Sequence, residues 1–261
     1  MFQNFWLIAA GSLLLGGLFA LGGCASRPSG EHASIDVPPA VLAGGESIYF
    51  GTVFPLDADT KEPTFVYERR VAREGDRFLS THITRTPSGR VELAETATHD
   101  ADYALRSYVL HGNQLGVHGT IDVAEGEVRF HRVDASGVRD EVEAQDGVVV
   151  VGPTLVGYIG AHLPALRAGE VFPVRLALLD RLETLGFDLA IAESAPGETK
   201  VRMTPSSFFV RLAVDPIDYT FGPDGKLARL EGRVPPKHFV GGRYRDFDAR
   251  VEYAFVAPEY R

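Results

Sequence analysis

Few side chains in this sequence are placed to do chemistry. Eight histidines are scattered along 261 residues. Three of them, His111, His118 and His131, fall in successive candidate strands and would meet only if strand register brought them together. A metal centre needs three or four ligands in a defined geometry with supporting partners, and no spacing here supplies them. Asp57-Ala58-Asp59 with Glu68 faintly echoes a calcium loop, but Lys61 stands at a ligand position and Glu62 where the turn glycine belongs. Carboxylates are too numerous to single out a catalytic pair, which is defined by its separation in space. The signatures G-x-S-x-G, H-E-x-x-H, S-x-x-K, the P-loop and G-x-G-x-x-G are missing. The chain therefore reads as a non-enzyme, with no catalytic residue, metal ligand or cofactor assigned. Its one cysteine, Cys24, cannot bridge within the chain, which excludes a disulfide scaffold.

Cys24 has a more telling context. Met1 to Ser26 carries no charged side chain, and Phe5 to Leu21 is almost wholly apolar, the pattern of a secretory signal rather than of a fold. The run closes with Leu21-Gly22-Gly23-Cys24: a branched apolar residue, two small ones and the sole cysteine. This resembles the lipobox of bacterial lipoproteins. The resemblance implies a signal peptide over 1–23, cleavage between Gly23 and Cys24, and acylation of the Cys24 thiol and of the new amine. Two or more acyl chains anchor stably where one is marginal. Met1-Phe2-Gln3-Asn4 lacks the Lys or Arg usual in such a signal. The competing reading is an uncleaved apolar anchor, which the five glycines of the segment disfavour as a durable helix. Ala25, not Asp, follows the cysteine. By the same resemblance, this implies anchoring on the periplasmic side of the outer membrane.

Charge narrows the partners. Lys+Arg 26 against Asp+Glu 35 gives a formal net charge of −9, which argues against nucleic acid. Residues 226–245 run the other way, with Lys226, Arg229, Arg233, Lys237, Arg243 and Arg245 against Glu231. Within them, Val234-Pro235-Pro236-Lys237-His238-Phe239-Val240-Gly241-Gly242 is expected to be a loop, because proline lacks the N–H of a central strand. An apolar tip between cations suits anionic lipid headgroups, at ~1 kcal/mol per basic residue near the surface. Lys237, Phe239, Arg243 and Arg245 are the candidate contacts. The alternative is a solvated loop whose Phe239 packs back on the sheet.

The elements that must carry these residues are mainly strands. Residues 24–45 are rich in Pro, Gly and small side chains and read as an acylated cysteine with a flexible tether of about 25 Å typical reach. Over 46–261 the dominant period is two: Phe65, Tyr67 and Val71; Leu185, Phe187, Leu189 and Ile191; Phe208, Val210, Leu212 and Val214; Ala249, Val251, Tyr253 and Phe255. Glycine turns such as Glu74-Gly75, Glu125-Gly126 and Asp224-Gly225 punctuate the runs. A single antiparallel meander of ten or more strands follows. Thr154 to Ala168 breaks the pattern with apolar residues at helical spacing between Pro153 and Gly169, and Pro164 is expected to end or kink it. One short helix over about 154–168, lying across a curved sheet, is the natural arrangement.

That layout is similar to the LolA/LolB-type periplasmic half-barrel proteins and related exported families. The section from Leu166-Arg167-Ala168-Gly169-Glu170 to Met203-Thr204-Pro205-Ser206-Ser207-Phe208-Phe209-Val210-Arg211 carries the resemblance. It implies a lipid-handling or envelope-accessory role and transfers no catalytic residue. Two functional expectations result. One is an outer-membrane lipoprotein that binds an apolar or lipidic ligand in a half-barrel. The other is an envelope scaffold with a filled core and no small ligand. Neither names a protein partner.

Overall fold

The computed structural model describes residues 37–212 and 214–256, so Gly23 and Cys24 lie outside the described residues. Helix α1 (Pro39–Ala43) precedes eight strands: β1 (Glu46–Pro55), β2 (Phe65–Glu74), β3 (Arg77–Arg85), β4 (Val91–His99), β5 (Leu105–Gly112), β6 (Val117–Ala124), β7 (Glu127–Asp134) and β8 (Gly137–Ala144). The two-residue β9 (Val149–Val150) leads into α2 (Gly152–Arg167). Then follow β10 (Phe172–Leu178), β11 (Glu183–Ala195), β12 (Glu198–Pro205), α3 (Phe208–Arg211), β13 (Ile217–Phe221), β14 (Leu227–Val240) and β15 (Arg243–Phe255).

The strands form one 15-stranded sheet in the order β8-β7-β6-β5-β4-β3-β2-β1-β15-β14-β13-β12-β11-β10-β9. Pairing is antiparallel except between β9 and β10. The fold is thus mainly β, a single open curved meander, as the period-two runs predict. Its first and last strands meet in the middle of the sheet, with Tyr49 opposite Phe255 and Val53 opposite Val251. The two outer strands do not pair with each other. Side chains span the gap instead. Leu179, just past β10, lies so close to Gly119 of β6 that a side chain there would collide with it. Nearby, Arg132 Nη1 donates to the Asp180 carbonyl at 2.7 Å.

Helix α2 lies against strands on both sides of the curve and buries Leu155, Ile159, Leu163 and Leu166 in the main core. Its start is fixed by Thr154, whose Oγ1 accepts from the Val151 N–H at 3.1 Å. Pro164 is accommodated inside the last turns rather than ending the helix, which stops instead before Gly169 at φ +95°, a conformation that favours glycine. Gly157 lets the helix sit flush on the Tyr103 ring, leaving no room for a Cβ.

Three expectations need correction. The expected strand over Phe208, Val210, Leu212 and Val214 does not form: Pro205 and Pro216 bracket it, Phe208 to Leu212 have no ladder partner among the described residues, and Phe208–Arg211 make the exposed one-turn α3. Val234 to Gly242 is not a loop. β14 runs through both prolines to Val240, with a register irregularity between Val234 and His238, and only Gly241-Gly242 turns. The ordered body also begins earlier than residue 46, since Val37 is buried and α1 lies near β4.

Antiparallel alternation sorts the connections onto two rims. The β1–β2, β3–β4, β5–β6, β10–β11 and β14–β15 connections share one rim with α3. The chain enters β1 at the opposite rim, which also carries the β2–β3 and β11–β12 turns and the end of α2, where Arg167 Nε donates to Thr199 Oγ1 at 3.0 Å.

Candidate functional site

Because α2 occupies the part of the concave face near the entry rim, a space remains between its first turns and the other rim. This cavity measures about 300 Å³. Its walls are largely apolar: Leu93 and Leu110 from one side of the sheet, Leu155 and Val156 from α2, and Met203 and Leu230 from the other side. The lining reaches solvent at Asp180, Arg233 and Pro235.

The register places a polar row across one wall. Tyr49 stands opposite Arg69, Arg69 opposite His82, and His82 opposite Glu95. Of these, His82 and Glu95 line the cavity. Arg69 is fully buried, donates through Nη2 to Ser80 Oγ at 3.1 Å, and donates through Nη1 to the Pro153 carbonyl at the start of α2. Ser80 Oγ lies 2.8 Å from His99 Nε2, and His99 Nδ1 lies 2.7 Å from the Asp100 carbonyl. Those partners fix the tautomer: Nδ1 carries the proton and Nε2 accepts. The Tyr49 hydroxyl meets His82 Nε2 at 3.0 Å. Burial, reinforced by the Arg69 charge, pushes His82 well below its ordinary range, so its ring is neutral and accepts from Tyr49.

Glu95 is the chemically distinctive group. Burial raises its carboxyl to about 7, against a hydrogen bond from Tyr108 Oη at 2.9 Å that favours the charged form. Tyr67 lies on the same face, and its buried hydroxyl has no hydrogen-bond partner among the described residues. Burial first, then the nearby Glu95, raises Tyr67 well above the ordinary phenol range, so it stays a donor. The cavity therefore joins a long apolar wall to a compact hydrogen-bonding end. Such a site suits a mostly apolar molecule with one polar group.

Sequence reasoning missed this row. Arg69 shares the parity of Tyr67 and Val71, so a charge on the apolar face was a readable signal. That Glu95 and His82 stand opposite one another depends on register, which the sequence does not display.

The sequence-predicted residues gather at the rim. Lys237 Nζ pairs with Asp246 at 2.7 Å, and Arg233 with Asp246 and Asp248, so much of the basic stretch is neutralised locally. Arg243 and Arg245 are exposed and make no ion pair among the described residues. Phe239 meets Tyr244 edge-on, ring centroids 5.0 Å apart. The two prolines before Lys237 interrupt the ladder, and Gln114 from the β5–β6 turn repairs it. Its Oε1 accepts from the Lys237 N–H at 2.7 Å and its Nε2 donates to the Lys237 carbonyl at 2.8 Å. One side-chain amide thus stands in for a strand. The histidines separate: His111 and His118 lie side by side, ring centroids 4.6 Å apart, while His131 pairs with Asp140 at 2.7 Å. Glu68 is held by Arg70 and Arg85 and faces no calcium loop.

No protein-family model matches this chain, and a comparison with curated proteins found no match. Among solved structures, it is similar to the crystal structure of a β-barrel-like protein of domain of unknown function DUF1849 from Brucella abortus. The two share 9% identity over 81% of this chain and 98% of that one, with a TM-score of 0.48.

Proposed function

We propose that this protein is a non-enzymatic envelope lipoprotein, tethered through acylated Cys24 to the periplasmic side of the outer membrane, whose half-barrel holds an apolar or lipidic ligand. The observation that carries the reading is the cavity of about 300 Å³ beside α2, apolar along its length and polar at Glu95, Tyr67 and Tyr108. This volume lies at the lower end of the ~300–1,000 Å³ typical of small-molecule sites. The lipobox resemblance of Leu21-Gly22-Gly23-Cys24 supports the anchor.

The test uses an anthroyloxy-labelled fatty acid as probe, with native mass spectrometry of the purified protein alongside. The parent protein binds the probe and carries a co-purifying apolar mass. Val156→Phe, which projects bulk from α2 into the cavity, releases both while keeping the strand-dominated circular dichroism of the parent. A clean mass with no probe binding overturns the ligand reading and leaves the filled-core scaffold.

A further inference from the structure

Among the described residues, the cavity's open rim carries most of the strongly exposed aromatic surface. In and just after α3, Phe208, Phe209 and Leu212 are 67%, 80% and 74% exposed, and the two phenylalanine rings meet edge-on, centroids 5.8 Å apart. At the β14–β15 tip, Phe239 and Val240 are 50% and 45% exposed. These projections are remote in sequence, but β13 and β14 are neighbours, and both projections leave the sheet at the rim opposite the chain's entry. The cavity-lining residues Met203 and Ile217 stand on either side of α3, and cavity-lining Pro235 leads into the tip.

Charge tells what this rim fits. Arg211 donates to the carbonyls of Pro205 and Ser206, neutral acceptors that leave its charge unbalanced. Arg243 and Arg245 add two exposed cations beside Phe239. Three unneutralised arginines around two apolar projections, on a chain of net charge −9, form a local basic exception complementary to an anionic surface. Aromatic tips that enter the headgroup region while guanidinium groups meet phosphates describe an anionic bilayer surface.

We propose that α3 and the β14–β15 tip form a two-point contact with an anionic membrane that sets the cavity opening against the bilayer. The inference extends the ligand reading by giving the ligand a route from the lipid phase. The contact is at the far end of the strands from the tether. The domain therefore either folds back toward its own anchoring leaflet along the length of the tether or presents the rim to another lipid surface.

The full chain tests this with tryptophan as a probe, because Trp6 is the only native tryptophan. In a Trp6→Phe background, Phe209→Trp and Phe239→Trp replace exposed aromatics without disturbing the fold, and Asp76→Trp marks the opposite rim in the β2–β3 turn. Reconstituted in phosphatidylglycerol-containing vesicles with brominated acyl chains, the first two lose about half their emission or more, the depth expected of an interfacial side chain, and Asp76→Trp does not. Adding Arg243→Glu and Arg245→Glu, or replacing phosphatidylglycerol with phosphatidylcholine, restores most of the emission at position 209. Quenching of Asp76→Trp alone, equal quenching at all three positions, or none overturns the proposal. So does an emission shift at 209 that depends on protein concentration rather than on lipid, which would mark a second copy as the occupant. Because the readout needs no ligand, a bound mass in the parent with unquenched rim tryptophans defeats the membrane contact and leaves the ligand reading standing.

Discussion

The two walls that face each other across the cavity are built on different chemistry. Among the described residues, every buried charged side chain lies on the first wall: Glu68, Arg69, Glu92 and Glu95. The second wall, from β10 to β15, buries only threonines besides its apolar residues, namely Thr184, Thr199 and Thr220. Hydrophobic packing against α2 holds that second wall together. The first adds to its apolar contacts a hydrogen bond from Arg69 to the Pro153 carbonyl at the start of α2. A buried polar network is costly when half satisfied and specific when complete. The difference therefore places apolar packing on one wall and a buried polar network on the other.

The sharpest way to break that contrast is Arg69→Ala. It removes the charge-assisted hydrogen bonds to Ser80 and the Pro153 carbonyl and leaves a void, with an expected loss of about 4 kcal/mol in urea unfolding at ~1.5–3 kcal/mol per bond. Next comes Glu95→Gln. The fold raises this carboxyl to about 7 from an ordinary value of 4.5. The folded protein thus holds the proton more tightly than the unfolded chain does, and this contribution is full below pH 4.5 and is lost as pH rises through 7. The shift corresponds to about 3 kcal/mol. Unfolding across this pH range should show Glu95→Gln with a flatter profile and, at about pH 8, greater stability than the parent. Gln114→Ala leaves the Lys237 N–H and carbonyl unpaired and costs about 2 kcal/mol. Hydrogen exchange should show lost protection at Lys237 above all. Smallest is Thr220→Val on the second wall, expected to change stability by less than about 1 kcal/mol. A loss there as large as that of Arg69→Ala would erase the distinction between the walls.

What the sequence made legible was local. Gly75, Gly89, Gly126, Gly137, Gly147 and Gly225 all take positive φ in turns, as turn-marking glycines should. The helical spacing of Leu155, Ile159 and Leu166 against a period-two background located α2 to within two residues. What escaped depended on distant partners. Phe208, Val210 and Leu212 alternate as a strand would, yet among the described residues no strand pairs with them. Pro235 and Pro236 forbid ordinary pairing, but Gln114, more than a hundred residues away, supplies the missing bonds. The polar row of Arg69, His82 and Glu95 exists only because three strands share one register.

The central pairing of β1 with β15 has a consequence for how the molecule is made. Glu46 to Pro55 can zip onto β2 as soon as both are synthesised, but their other neighbour is the last strand of the chain. Until that strand arrives, β1 presents an open edge in what will become the middle of the sheet, beside the nascent polar row. Pairings of such sequence separation form late and slowly, and an unpaired edge invites other chains meanwhile. Truncation just before Arg243 would not trim a margin of the sheet. It would split the sheet through its centre and leave two half-sheets with unsatisfied edges, a species bound for aggregation.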